Sequence, residues 1–103
     1  MTRIITNEQI LQYEHMIDSM INSHVVKNWS EIRHTRDKYA SLGNTGYTLE
    51  DIRQHLRCEV FIALRNYDET KGAKESTFLF LHLTRRIGQM MKKLTSKAMG
   101  NLS

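Results

Sequence analysis

Three stretches of this 103-residue chain place apolar side chains three and four positions apart, and that spacing constrains the fold more than any other feature. The first runs through Ile10, Tyr13, Ile17, Met20, Ile21, His24 and Val25 and extends to Trp29 and Ile32. The second uses Leu49, Ile52, Leu56, Val60, Ala63, Leu64 and Tyr67. The third uses Leu79, Phe80, Leu83, Ile87, Met90, Met91 and Leu94. Such positions share one face of an α-helix, so each stretch predicts an amphipathic helix with an inward stripe. No stretch alternates as a half-buried strand would. The chain has no proline and five glycines, so little interrupts a long helix. The expected fold is all-α, a compact bundle of three to four helices in a single domain.

Local signals set the expected boundaries. Thr6 followed by Gln9 is a capping-box pair that starts a helix over about 7–34. The polar segment Ser41 to Tyr47, with two glycines, reads as a flexible loop. Thr48 with Asp51 offers a second capping pair for a helix over about 48–66. The run Asp68-Glu69-Thr70-Lys71-Gly72 reads as a tight turn. Ser76 is the candidate N-cap of a helix over about 76–97. The last residues, from Gly100 to Ser103, are expected to fray.

Charge divides the chain. Residues 1–75 carry ten Lys/Arg and eleven Asp/Glu, close to neutral. After Glu75 there is no acid, yet Arg85, Arg86, Lys92, Lys93 and Lys97 follow. A basic third helix on a near-neutral body fits a polyanionic partner, and equally fits a solvated face. The same helix could lie on anionic lipid. A chain this short needs Phe80, Leu83, Ile87 and Leu94 for its own core, which argues against a membrane role.

Several chemistries find no support. Cys58 is the single cysteine, so no internal disulfide forms, which fits a reducing compartment. His55 and Cys58 sit three apart on one helix, but His15, His24, His34 and His82 are scattered, with no second pair at zinc spacing. No phosphate-binding glycine loop, metalloprotease helix or nucleophile elbow is present. Gly43-Asn44-Thr45-Gly46 has the form of a backbone-clamping G-x-x-G loop, but the strands that motif needs are missing. The N-terminus lacks an apolar signal core, and no apolar run reaches the length of a membrane span. The expectation is a cytoplasmic protein with no catalytic residue, no cofactor and no metal.

From Leu49 to Lys93 an ordered set of residues stands out: Asp51, Gln54, Val60, Leu64, Tyr67, Asp68, Lys71, Gly72, Lys74, Ser76, Thr77 and Phe78. In kind, order and gapless spacing they resemble region 2 of bacterial sigma factors, the domain that binds core RNA polymerase and recognises the minus-ten element. Asn7 to Trp29 looks like the helix that precedes this motif, and the 41–48 loop falls where family loops vary. Nothing here matches the family's separate helix-turn-helix. In that respect the chain resembles minimal phage late sigma factors and split co-sigma subunits.

The resemblance implies two faces and a bacterial or phage-infected cell. The second helix would dock on the clamp helices of the largest RNA polymerase subunit through Asp51, Gln54, His55, Arg57 and Cys58. The third would engage promoter DNA as it melts, through Lys74, Thr77, Phe78, His82, Arg85, Arg86, Gln89, Lys92 and Lys93. Phe78 stands at the family's base-capturing position. Arg85, Arg86, Lys92 and Lys93 would hold phosphates. A helper protein would supply the upstream promoter contact. Three departures are clear. Glu75 replaces an aromatic, Leu81 and His82 replace paired tryptophans, and His55-Leu56 follows Gln54 where an acid-glycine pair is usual. These leave open two other readings: a polymerase-binding inhibitor or adaptor that does not read DNA, and a general helical nucleic-acid-binding module.

Overall fold

The computed structural model describes residues 4–29, 32, 36–43 and 45–99, with side chains to Thr95. Four α-helices carry these residues: α1 (Asn7–Leu11), α2 (Glu14–His24), α3 (Leu49–Asn66) and α4 (Glu75–Met99). Single 3-10 turns lie at Val26–Asn28 and Glu69–Lys71. No strand is present among the described residues; an isolated antiparallel bridge joins Ser41 to Thr48. The architecture is the expected all-helical bundle. Helix α3 is its centre, packed against both α2 and α4, which also touch each other, and α1 lies against α3.

Both capping boxes form. Thr6 Oγ1 accepts from Gln9 N at 3.3 Å while Gln9 Oε1 accepts from Thr6 N at 2.9 Å. Thr48 Oγ1 accepts from Asp51 N at 3.3 Å while Asp51 Oδ2 accepts from Thr48 N at 2.8 Å. Each satisfies donors that a helix start would otherwise leave open. The start of α4 differs from expectation. The helix begins at Glu75, so Ser76 lies inside its first turn rather than capping it.

The expected helix over 7–34 is broken instead. Tyr13 adopts φ −100°, ψ 8° and separates α1 from α2. Its hydroxyl donates to Glu75 Oε1 at 2.6 Å, tying the break to the start of α4. No glycine or proline marks this point, which is why the apolar stripe runs through it unbroken. The second break follows His24. Val25 and Val26 are adjacent, and both are buried. Neighbours on a helix lie about 100° apart, so burying both favours a change of direction. Asn28 Nδ2 donates to the His24 carbonyl at 2.7 Å and closes the helix end. Ile32 beyond it is buried and Trp29 packs on the core, although neither lies in an α-helix.

The core comes from the three stripes. Ile17 and Ile21 of α2, Leu49, Leu56, Val60 and Leu64 of α3, and Leu79, Leu83 and Ile87 of α4 are fully buried. The 41–47 segment is part of this core rather than a flexible loop. Leu42 is fully buried and Thr45 nearly so. Full burial of such a leucine contributes about 2 kcal/mol. Gly43 and Gly46 take φ of 58° and 82°, a region costly for other residues, and so turn the loop back on itself. The turn into α4 is as expected. Asp68 Oδ1 accepts from Thr70 N at 2.9 Å, and Gly72 ends the turn at φ 87°. The Thr70 bonds hold the Asp68 carboxyl below its usual range. The 100–103 tail lies outside the described residues.

Candidate protein and nucleic-acid interfaces

The side chains expected to dock on polymerase divide between two clefts. Gln54, Arg57 and Cys58 line a groove of about 630 Å3 against Asn7, Ile10 and Leu11 of α1, with Phe61 and Ile62 alongside. Cys58 is exposed there, and Gln54 Nε2 donates to Glu50 Oε1 at 2.9 Å. Arg57 is not available as expected. Its Nε and Nη2 donate to the two carboxylate oxygens of Glu14 at 3.1 and 2.5 Å, a bidentate pair. That bond holds the Glu14 carboxyl below its ordinary value, helped by the nearby charges of Arg57 and Arg53. Arg57 is pushed up by the same partner. Asp51 and His55 instead face α4 across a cleft of about 420 Å3.

Side chains expected to meet DNA also divide. Lys74, just before α4, and Thr77, Arg85 and Lys92 on it are all exposed. With Leu81 and Gly88 they fall within about 40° of one line along the helix. That outward stripe contains no acid. His82, Arg86, Gln89 and Lys93 lie on the flank turned toward α3. His82 Nε2 is 2.9 Å from Glu59 Oε1, and Arg86 Nη2 is 3.2 Å from Glu59 Oε2. Arg86 Nη1 donates to Gln89 Oε1 at 3.0 Å. Arg86 and His82 therefore serve an internal carboxylate.

The two phenylalanines differ from expectation in exposure. Phe78 is half-buried against the core, and its ring lies 5.5 Å from that of Tyr67, tilted by 49°. Tyr67 is fixed in turn, donating its hydroxyl to the Ala73 carbonyl at 2.5 Å. Phe80, expected in the core, is 50% exposed, and Leu81 beside it is 57% exposed. The reason is the orientation of α4. Its buried line is Leu79, Leu83, Ile87 and Leu94, and Phe80 lies about 100° off Leu79. Period alone did not place Phe80, because an apolar residue next to a stripe resembles a member of it.

Four charged residues went unnoticed in the sequence: Glu14, Asp18, Arg53 and Glu59. Arg53 and Glu59 are buried. Arg53 Nη1 donates to Asp18, and the guanidinium also meets Glu14 and Glu50 at 3.5 Å each. A signal existed. Glu14 and Asp18 are four apart on α2, and Arg53 and Arg57 are four apart on α3, so two helices present matched ladders. Glu59 carries no such signal, because its partners come from α3 and α4 together. Among the described residues no three His, Cys, Asp or Glu side chains are placed to hold a metal. No described helix is long and apolar enough to cross a membrane. Compared with protein-family models, with curated proteins and with solved structures, the chain matches none.

Proposed function

We propose that this chain is a reduced sigma-like initiation factor that docks on the RNA polymerase clamp and engages the minus-ten promoter region as it opens. It would work in the cytoplasm of a bacterial or phage-infected cell, with a helper protein supplying the upstream contact and the polymerase supplying the chemistry. The observation that carries this reading is the outward face of α4. It presents Lys74, Arg85 and Lys92 with no acid among them, beside the exposed side chains of Phe80 and Leu81. Cations hold phosphates, and an exposed aromatic ring replaces the stacking that a base loses on leaving the duplex. Base capture is therefore assigned to Phe80, with Leu81 as wedge, in place of Phe78. The outer face of α3, with Gln54 and Cys58, is left for the clamp.

A specific observation favours a second reading, a polymerase-binding inhibitor or adaptor that does not read DNA. Phe78 at the family's base-capturing position is engaged by Tyr67, and His82 by Glu59. Transcription in vitro with core polymerase and a promoter library, with and without candidate helpers, separates the two. Phe80→Ala should reduce promoter opening by the equivalent of about 1–3 kcal/mol, read by permanganate reactivity of unpaired thymines. Phe78→Ala should instead lower the melting temperature. If the parent binds polymerase and opens no promoter with any helper, the inhibitor reading replaces the first. If Gln54→Ala leaves co-purification with polymerase intact, the docking assignment fails.

A further inference from the structure

The cleft between the first turns of α3 and the C-terminal half of α4 combines three chemistries that neither helix carries alone. Its volume of about 420 Å3 suits a small ligand, since such sites span about 300–1,000 Å3. Its floor is apolar, made by Ile52 and Leu94 from the core and by Met90 packed against it. The Tyr47 ring stands at one rim, 44% exposed. Lys93 and Arg86 stand on the α4 side.

Each of these groups is positioned. The closed loop carries Tyr47, whose carbonyl accepts from Leu42 N at 2.9 Å while its own N–H donates to Thr45 Oγ1 at 3.2 Å. Glu59, buried on α3, anchors Arg86 through Nη2, and Gln89 anchors it through Nη1. Because Gln89 Oε1 is used in that bond, its amide NH2 is the group left to donate to a ligand. Lys93 is exposed, one helical turn beyond Gln89.

We propose that this cleft binds a nucleotide unit, with the base laid against Tyr47 and the apolar floor and the phosphate held by Lys93 and Arg86. An aliphatic anion makes no use of the ring or the floor, and a neutral aromatic makes none of the cations. A flat heteroaromatic joined to an anion uses all of them. Asp51 on the α3 rim repels extra negative charge, so a single phosphate is favoured over a triphosphate. The same unit comes either as a free nucleoside monophosphate or as one residue of a single strand. The site lies on a different flank of α4 from the outward stripe, and its binding does not depend on polymerase.

The test uses the full chain without polymerase, titrated with adenosine and thymidine monophosphates, a short single-stranded DNA, and the same sequence as a duplex. Tyr47→Ala should weaken binding by about tenfold or more, and Tyr47→Phe, which keeps the ring, should restore it. Lys93→Gln should lower the salt slope of strand binding by about one unit. Melting curves matching the parent show that the variants fold. Saturable monophosphate binding without strand binding identifies a free nucleotide as ligand. Strand binding displaced by monophosphate identifies the strand. Either supports the site. The site is refuted if no probe binds, if binding survives both Tyr47→Ala and Lys93→Gln, or if strand and duplex bind alike and the monophosphate displaces neither.

Discussion

The two flanks of α3 solve the same problem in different ways. Toward α2, Arg53 and Arg57 meet Glu14, Asp18 and Glu50, so acids outnumber bases and every guanidinium has a carboxylate. Toward α4, the carboxylate of Glu59 serves Arg86, His82 and His55 together. The first flank is saturated, and its charges are spent on holding α2 in place. The second has more donors than acceptors, and its bases continue into Lys93 and the open cleft. Charge spent internally is structural, and charge in excess of internal need is what a partner can use.

The largest expected effect tests the saturated flank. Arg53 is buried beside three carboxylates, so Arg53→Ala should take its charge from all three and leave Arg57 alone to serve Glu14 and Glu50. Removing one member of a buried cluster costs about 3 kcal/mol. For a domain of this size the melting temperature should fall by more than about 10 °C. A fall of only a few degrees would mean that the α2 flank is no more committed than the other.

Glu59→Gln comes next. The amide keeps the shape but loses the charge that both Arg86 and His82 face. A cost of about 1–2 kcal/mol follows, read from the denaturant midpoint. Because Glu59 is the only carboxylate those two bases meet among the described residues, the loss should fall on the α3–α4 contact. Hydrogen exchange in α4 should then quicken more than in α2. Equal acceleration in both helices would show that the flanks do not act separately.

Acid should distinguish the flanks again, by a smaller margin. Glu14 has an ordinary value of 4.5 and is held lower in the fold by Arg57. Its contribution is therefore complete above about pH 4.5 and is lost as pH falls below that, through the depressed value. The Glu14→Gln variant should be less stable than the parent at neutral pH, and the two should converge as pH falls through the depressed value of Glu14. Denaturant midpoints measured from pH 7 to pH 3 check this. A constant gap across the series would remove Arg57 as the cause.

Much of this was legible in the sequence, for reasons that differ by element. The α3 limits were readable because Thr48 and Asp51 announce the start and the Asp68–Gly72 turn announces the stop, both by local hydrogen bonds. The α1–α2 break was not, because no glycine or proline marks it and the Tyr13 hydroxyl bonds to Glu75, far away in the chain. The core placement of Phe80 failed for a related reason. Two aromatics flanking a stripe can be told apart only once the rotation of α4 is known, and Phe78 then meets Tyr67 just beyond α3. The sequence groups the candidate residues by helix, and the structure groups them by cleft. Clefts form between helices, so Asp51 and His55 belong with Lys93, and Gln54 belongs with Leu11.

The smallest expected effect bears hardest on the comparison, because it concerns the Arg86 charge itself. Arg86 makes an ion pair with Glu59, whereas Arg53 meets Asp18, Glu14 and Glu50. Their surroundings differ. The Arg86 side chain is 41% exposed, against 10% for Arg53. Water already solvates part of the Arg86 charge, so the pair contributes less than about 1 kcal/mol. Its Nε is buried without a hydrogen-bond partner, a standing cost that removal would relieve. Glu59 would keep His82 at 2.9 Å, so its carboxylate would not be stranded. Arg86→Ala should therefore shift the melting temperature by only a few degrees, far less than Arg53→Ala. If the two substitutions destabilise equally, Arg86 is as structural as Arg53, and the α4 flank has no charge to offer a partner. If Arg86→Ala is nearly silent for stability and weakens nucleotide binding in the cleft, the flanks are divided as described.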